Sequence, residues 1–340
     1  MQVTYLTPDQ YDRWDTFVRE HPHGTFFHLS GWKTAVERAF GHSMYYLSAE
    51  KNGVIKGVLP IGRVRSRLFG DALLSTPFAV YGGVLADSEA TVAALNTRAT
   101  ELASDLGVDY LEYRNREPRL QPSEGSELYV TFRKEISADS DENMKAIPRK
   151  QRAMVRKGIK AGLVGDIDAD IRRFYPMYAE SVRNLGTPVF ARRWFQVLKD
   201  VFCGDCEILT ITHEGMPVSS VMSFYFGNEV LPYYGGGTLG ARAVKANDFM
   251  YWELMRRAGE RGITVFDYGR SKRGAGSYHF KKNWGFEPEA MYYEQHTIKA
   301  DTVPEVNPTN PKYRTAINLW KRLPLPVANT LGPLVSKYLA

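Results

Sequence analysis

The stretch VFDYGRSKRGAGSYHFKKNWGF, residues 265–286, decides how the rest of the chain is read. Its first residues complete an apolar, β-branched run that predicts a buried strand over 263–268. Asp267 interrupts that run, and a carboxylate is costly to bury unless it is partnered or used. The loop GRSKRGAGS follows, setting Arg270, Ser271, Lys272 and Arg273 among glycines and serines. Beyond it, Ser277, His279 and Lys281 alternate with Tyr278, Phe280 and Lys282. Read as a strand, this segment points His279 and Lys281 to one side. Upstream, residues 231–234 form a short apolar run that Gly235, Gly236 and Gly237 are expected to stop. Asn247 is the expected N-cap of a helix, with Asp248 in its first turn. Met250, Tyr251, Leu254, Met255 and Ala258 then recur at helical spacing until Gly259 and Gly262. A helix start facing a basic, glycine-rich loop can hold a phosphate and stabilise an oxyanion, so the site is sought here.

Length and composition set the outer limits. A chain of 340 residues suggests two domains, and 44% hydrophobic with 13% aromatic residues is ample for packed cores. No apolar run approaches the roughly 20 residues of a membrane span. The start, MQVTYLTPDQYDRW, lacks the charged-then-apolar layout of a signal peptide, so the expected location is cytoplasmic. Cys203 and Cys206 form a lone CxxC without a second Cys/His pair at finger-like spacing, which reads as two reduced thiols and no metal site. The net charge of +6 fits phosphorylated small molecules, tRNA, DNA or an anionic membrane surface, and does not choose among them.

In chain order, residues 26–40 predict a helix capped by Ser30, with Trp32, Ala35, Val36 and Ala39 on one side. Residues 45–59 predict a hairpin turning at Asn52-Gly53. Residues 73–85 mix apolar residues with a Pro and a Gly pair, predicting a strand broken by a bulge or loop. A helix over 90–106 closes at Gly107, and DYLEYR (109–114) follows as a strand. In the second half, helices are expected over 171–185 and 194–202, then a hairpin of 206–213 with 218–226 around Glu214-Gly215. The order hairpin, strand, helix, strand thus occurs twice, which predicts two copies of one α/β unit. The expected division is 1–140, a basic linker helix over 141–162, a second domain over 163–300 and a Pro-rich tail over 301–340.

The linker helix has Pro148 at its N1 position and Arg149, Arg152, Arg156 and Lys160 on one stripe, with no acidic residue between Lys145 and Lys160. Such a stripe is either a solvated face or an arm that grips phosphate. In the tail, Tyr313, Ala316, Ile317 and Trp320 form an apolar stripe among Lys312, Arg314, Lys321 and Arg322. It either packs back onto the protein or makes a peripheral membrane contact through 312–323, at the inner membrane.

These residues resemble the Fem-type (FemAB-like) acyltransferases. The resemblance lies in the arm PRKQRAMVRKGIKAG, the helix NDFMYWELMRRAGERG running into VFDYGRS, and the closing FKKNWGF. Gly31-Trp32 and LLSTPFAVYGG are similar to a Fem-related branch associated with exopolysaccharide and PEP-CTERM systems. The resemblance implies an α/β fold of two tandem GNAT-like N-acyltransferase domains with mixed sheets. It also implies transfer of an acyl or aminoacyl group to an amine of a cell-envelope, peptidoglycan or exopolysaccharide precursor. No tightly bound cofactor is expected. The long helical hairpin that some Fem proteins use for tRNA is absent, and GGGTLGARAVKAND only loosely resembles an acyl-CoA pyrophosphate loop. Acyl-CoA and aminoacyl-tRNA therefore both stay open as the donor co-substrate.

Acyl transfer to an amine needs the amine positioned and deprotonated and the tetrahedral oxyanion stabilised. By resemblance, Lys281 binds substrate phosphate or stabilises the intermediate; read on its own it is an ammonium donor facing a glycine-rich loop, or an ordinary strand lysine. His279 is the candidate base. Asp267 either orients an amine or Arg270, or is a buried structural carboxylate. Arg152, Arg156, Tyr234, Asn247, Arg270 and Ser271 are the candidate contacts to a phosphorylated or nucleotide-linked substrate. A non-catalytic partner of the same fold, docked at the membrane surface, is the alternative. No helix-turn-helix, zinc finger or RNP-like sheet is present, so DNA is not an expected partner.

Overall fold

The computed structural model describes residues 1–117, 128–300 and 314–340. The chain divides into two compact units, one built from 1–128 with returning segments at 290–310 and 337–340, the other from 129–289 and 311–336.

The first unit runs β1 (Gln2–Tyr5), α1 (Tyr11–Glu20), α2 (Ser30–Phe40), β2 (Met44–Lys51), β3 (Val54–Ser66), β4 (Gly70–Ser75), β5 (Leu85–Ala86), α3 (Glu89–Leu106) and β6 (Tyr110–Asn115). The second runs β7 (Tyr129–Glu135), α4 (Ser140–Ala146), α5 (Arg149–Lys160), β8 (Val164–Asp168), α6 (Phe174–Leu185), α7 (Arg192–Val201), β9 (Cys206–His213), β10 (Met216–Phe226), β11 (Glu229–Gly237), α8 (Ala246–Glu260), β12 (Val265–Asp267), β13 (Ser271–Lys272), α9 (Gly276–Asn283) and β14 (Pro288–Ala290). After it come β15 (Tyr292–Thr297), α10 (Arg314–Trp320) and α11 (Leu325–Ser336).

Each unit has the same sheet plan. In the first, the strand order is β1-β2-β3-β4-β6-β15, with β4 and β6 parallel and bridged by α3. In the second, β8-β9-β10-β11-β12-β7 repeats that plan, with β11 and β12 parallel and bridged by α8. A parallel pair needs a crossover, and a helix is the usual one. Both hairpins turn where the residues allow positive φ. Asn52 (φ 54°) and Gly53 (75°) join Lys51 to Val54, and Glu214 (51°) and Gly215 (78°) join His213 to Met216.

Helix α3 shows why these residues make a crossover. The Ser88 side chain accepts the Thr91 N–H at one end, and Gly107 (φ 59°) closes the other. Leu95, Ala99 and Leu102 lie buried against Leu47, Leu59, Leu73 and Leu111 of the sheet. Each fully buried leucine contributes about 1.5–3 kcal/mol. In the second unit, Leu254 and Met255 of α8 pack with Phe132, Val221, Phe266 and Trp284.

The division differs from the expected boundaries at both seams. β7, ahead of residue 140, pairs antiparallel with β12 in the second sheet. β15, inside the expected second domain, pairs antiparallel with β6 in the first. Strand pairing is non-local, so chain order does not reveal which sheet an end strand joins.

Candidate functional site

The second unit opens its sheet at one place. β11 and β12 pair in parallel only at Glu229–Val265 and Val230–Phe266, although β11 runs on to Gly237. On its other side β11 shifts register against β10: Met222 faces Tyr234 and Ser223 faces Pro232, leaving Tyr233 as the extra residue of a bulge. Among the described residues, the β12-facing edge of β11 past Val230 therefore has no strand partner.

The three glycines of this edge continue the strand rather than stopping it. A side chain on Gly236 would put its Cβ 2.5 Å from Ser181 Cβ and 3.0 Å from the Met177 carbonyl of α6. A Cβ on Gly237 would lie 2.6 Å from Asn247 Oδ1. The run is there because helices approach both sides of the strand.

The α8 start differs from the expected cap. Lys245, in the left-handed region (φ 61°), is the N-cap, and Asn247 lies inside the first turn with its Oδ1 buried and no hydrogen-bond partner. Asp248 follows, accepts a hydrogen bond from Gln151 of α5, and has its carboxyl pKa raised by burial. Helix rules alone give Asp248 only a helix-end role and do not point to Gln151 at all. The signal that marks Asp248 is that it is the sole acidic residue between Glu229 and Glu253.

Residues 276–283 form helix α9, not a strand. Tyr278, Lys281 and Trp284 recur every three residues, and Gly285 (φ 78°) ends the helix with its N–H on the Lys282 carbonyl. His279 and Lys281 are thus about 200° apart around the helix. His279 is exposed while Lys281 is buried, so they share no face.

Lys281 Nζ donates to the carbonyls of Gly269 (2.8 Å) and Arg270 (3.0 Å), just past the end of β12, and lies 5.5 Å from the Phe132 ring centre. Burial pulls its pKa down to about 7, opposed by the charge of Asp267. Asp267 is 1% exposed; its Oδ1 accepts the Gly269 N–H (2.7 Å) and the Thr131 hydroxyl (3.3 Å), and Arg133 Nε lies 3.5 Å from Oδ2. Arg270 lies over the Tyr129 ring at 4.7 Å. Ser271 is buried in β13 with its hydroxyl unpartnered. Lys281, Asp267, Arg270 and Ser271 therefore belong to one loop and the helix that closes it. Beside them, Tyr268 stacks edge-on with Tyr251 and Phe286 and buries an unpartnered hydroxyl.

The remaining candidates lie elsewhere. Tyr234 is core: its hydroxyl accepts from Trp194 Nε1 at 3.0 Å, its ring packs on Tyr178 and Phe195, and burial holds its pKa well above the usual phenol value. Arg152 binds the carbonyls of Lys145 (2.8 Å) and Ile147 (3.0 Å), tying α4 to α5. Arg156 is exposed. Among the described residues no cluster of His, Cys, Asp and Glu could hold a metal ion, and Cys203 and Cys206 are free thiols.

The first unit holds His28 neutral. Thr25 Oγ1 lies 2.7 Å from its Nδ1 and the Gly83 carbonyl 3.0 Å from its Nε2, and burial drives its pKa down to about 3. It ties the loop before β5 in place beside Arg116, which lies over the Tyr81 ring.

Residues 144–282 match the family model described as an acetyltransferase (GNAT) domain. The two sheets with their parallel, helix-bridged pairs carry the same plan twice. The fold is a tandem GNAT-like one. It is similar to the crystal structure of FemX (TM-score 0.70, 15% identity, 93% of this chain and 100% of that one). It is also similar to a tandem GNAT protein from the clavulanic acid biosynthesis pathway (TM-score 0.53, 13% identity, 87% and 98%). A third likeness is to the C-terminal domain of a putative lysylphosphatidylglycerol synthetase from Agrobacterium fabrum (TM-score 0.54, 10% identity, 84% and 91%). No curated protein matches the sequence. Among the described residues of this GNAT-like chain, no helix is long and apolar enough to cross a membrane.

Proposed function

We propose that this chain is an acyltransferase that moves an acyl or aminoacyl group onto an amine of a cell-envelope or exopolysaccharide precursor, phosphorylated or nucleotide-linked. The observation that carries the reading is the parting of β11 from β12 at the strand end where Lys281 is held. In open α/β sheets, ligands bind beyond the carboxyl ends of the strands. An unpaired strand edge offers N–H and C=O groups in register to an extended, amide-bearing donor arm such as that of acyl-CoA. The fold likeness to FemX and the GNAT domain match support acyl transfer. The motif resemblance to the exopolysaccharide and PEP-CTERM branch supports the acceptor class.

In such a transfer the amine attacks the donor carbonyl, a C–N bond forms, the ester or thioester bond breaks, and the proton lost by the attacking nitrogen passes to the departing alcohol or thiol. Two of the three Lys281 N–H groups are used on Gly269 and Arg270. The third, carried by the protonated form that prevails below its pKa of about 7, is the proposed donor to the oxyanion or to a substrate phosphate. Asp267 positions the loop by accepting the Gly269 N–H. Arg156 and Arg270 are the proposed phosphate contacts; Arg152 holds the arm that carries Arg156.

The test is transfer to amine acceptors with acyl-CoA and aminoacyl-tRNA as alternative donors, in wild type and Lys281→Met. Loss of turnover with folding intact is expected. A second reading, a non-catalytic partner of the same fold, is favoured by Lys281 and Arg152 both being spent on backbone carbonyls. No transfer from either donor by the wild type supports that second reading, whereas full activity of Lys281→Met would keep the transferase and remove the role given to Lys281.

A further inference from the structure

We infer that the two C-terminal helices dock the protein on an anionic lipid surface, through a face other than the stripe of Tyr313, Ala316, Ile317 and Trp320. Lys312 and Tyr313 lie outside the described residues. Ile317 turns inward: a Cβ on Gly186 would meet its Cγ2 at 2.6 Å, so this part of the stripe packs back onto the second unit.

Helix α11 is oriented opposite to an ordinary surface helix. It buries its small residues Ala328, Gly332 and Ser336, four apart. A Cβ on Gly332 would come within 2.9 Å of the Val189 backbone, and Ser336 Oγ donates to the Val189 carbonyl at 3.0 Å. The reverse side exposes Val327 (41%), Leu331 (42%) and Leu334 (61%), within about 60° of one another around the helix. Leu319 of α10 is 64% exposed and directly precedes Trp320, Lys321 and Arg322. A single exposed leucine needs no explanation, but large apolar residues gathered on two consecutive helices mark a contact surface.

Charge identifies the occupant. The two helices and the residues that follow them carry Arg314, Lys321, Arg322 and Lys337 and no acidic side chain. A second copy seated on this face through the same helices would bring further basic residues and no carboxylate side chain to pair with Lys321 and Arg322. Anionic headgroups above an apolar layer satisfy both the basic residues and the leucines. This inference does not rest on the acyl-transfer reading.

The test is co-sedimentation of the full chain with phosphatidylcholine vesicles with and without phosphatidylglycerol. Wild type is expected on the anionic vesicles only, with binding weakened by salt. Leu331→Ser/Leu334→Ser should lose at least about tenfold in partitioning, and Lys321→Gln/Arg322→Gln about thirtyfold on anionic vesicles, both with unchanged circular dichroism. Wild type that stays in the supernatant, or variants that sediment equally, would overturn the inference. So would a wild-type dimer that Leu331→Ser/Leu334→Ser turns into a monomer, since the face would then be a contact between copies.

Discussion

Lys281 on α9 and Gly269 beyond β12 are joined by a hydrogen bond of 2.8 Å from ammonium to carbonyl. That bond closes the loop carrying Arg270 and Ser271 and takes a lysine out of water. The cost of burial appears in its pKa, and it makes the first prediction readable by pH.

Lys281 titrates at about 7 in the folded chain, against 10.5 for an unperturbed lysine. Between those values the unfolded chain binds a proton that the folded chain does not, so stability rises with pH across that window. Melting temperature of the wild type, measured against Lys281→Met from pH 7 to 10, is expected to climb. Parallel curves would mean that Lys281 stays charged. At constant pH, Lys281→Met should lower kcat by about 10²–10³-fold if its free N–H meets the oxyanion.

Gly236→Ala is expected to destabilise by about 1–3 kcal/mol, because its Cβ meets Ser181 and the Met177 backbone and α6 must shift. Gly240→Ala, where the nearest atom to the new Cβ is 3.7 Å away, is the control. Equal denaturation midpoints for the two would show that α6 yields freely.

The two arm arginines should separate. Arg152→Ala removes hydrogen bonds from a charged donor to Lys145 and Ile147, worth about 1–3 kcal/mol, and should act on stability. Exposed Arg156→Ala should leave the melting temperature unchanged and raise KM for a phosphorylated acceptor. An unchanged KM in a normally folded Arg156→Ala protein would remove the phosphate arm.

The two cysteines should differ in reactivity. Cys206 is buried in β9 and burial pushes its thiol up to about 12, whereas Cys203 is exposed. Iodoacetamide at pH 8 is expected to label Cys203 alone in the native protein, and peptide mass spectrometry reads the outcome. Rapid labelling of Cys206 would show that β9 opens under native conditions.

Features set by one or two residues were legible directly. Asn52-Gly53 and Glu214-Gly215 marked their hairpins because a two-residue turn needs positive φ, which these residues tolerate. Helix α3 matched its periodicity within one residue, since cap, apolar spacing and Gly107 all agree locally. The doubled order of elements pointed to two like units, and both sheets follow it. Of the candidate residues, Asp267, Arg270 and Lys281 meet around one loop because they are close in sequence, and their roles rest on the proposed acyl transfer.

What the residue order determined by itself was local: turns, long helices, and the repeat of one unit. Tertiary structure decided the rest. Residues 276–283 are too few for their period to be certain, and burial of Lys281 and Trp284 with the Gly285 stop selects a helix. Gly235 to Gly237 stay in a strand because α6 and α8 press against it, and a glycine shows no sign of what will approach it. Tyr234 entered the core, and β7 and β15 joined sheets remote in sequence, because hydrogen bonds and burial reward proximity in space rather than along the chain.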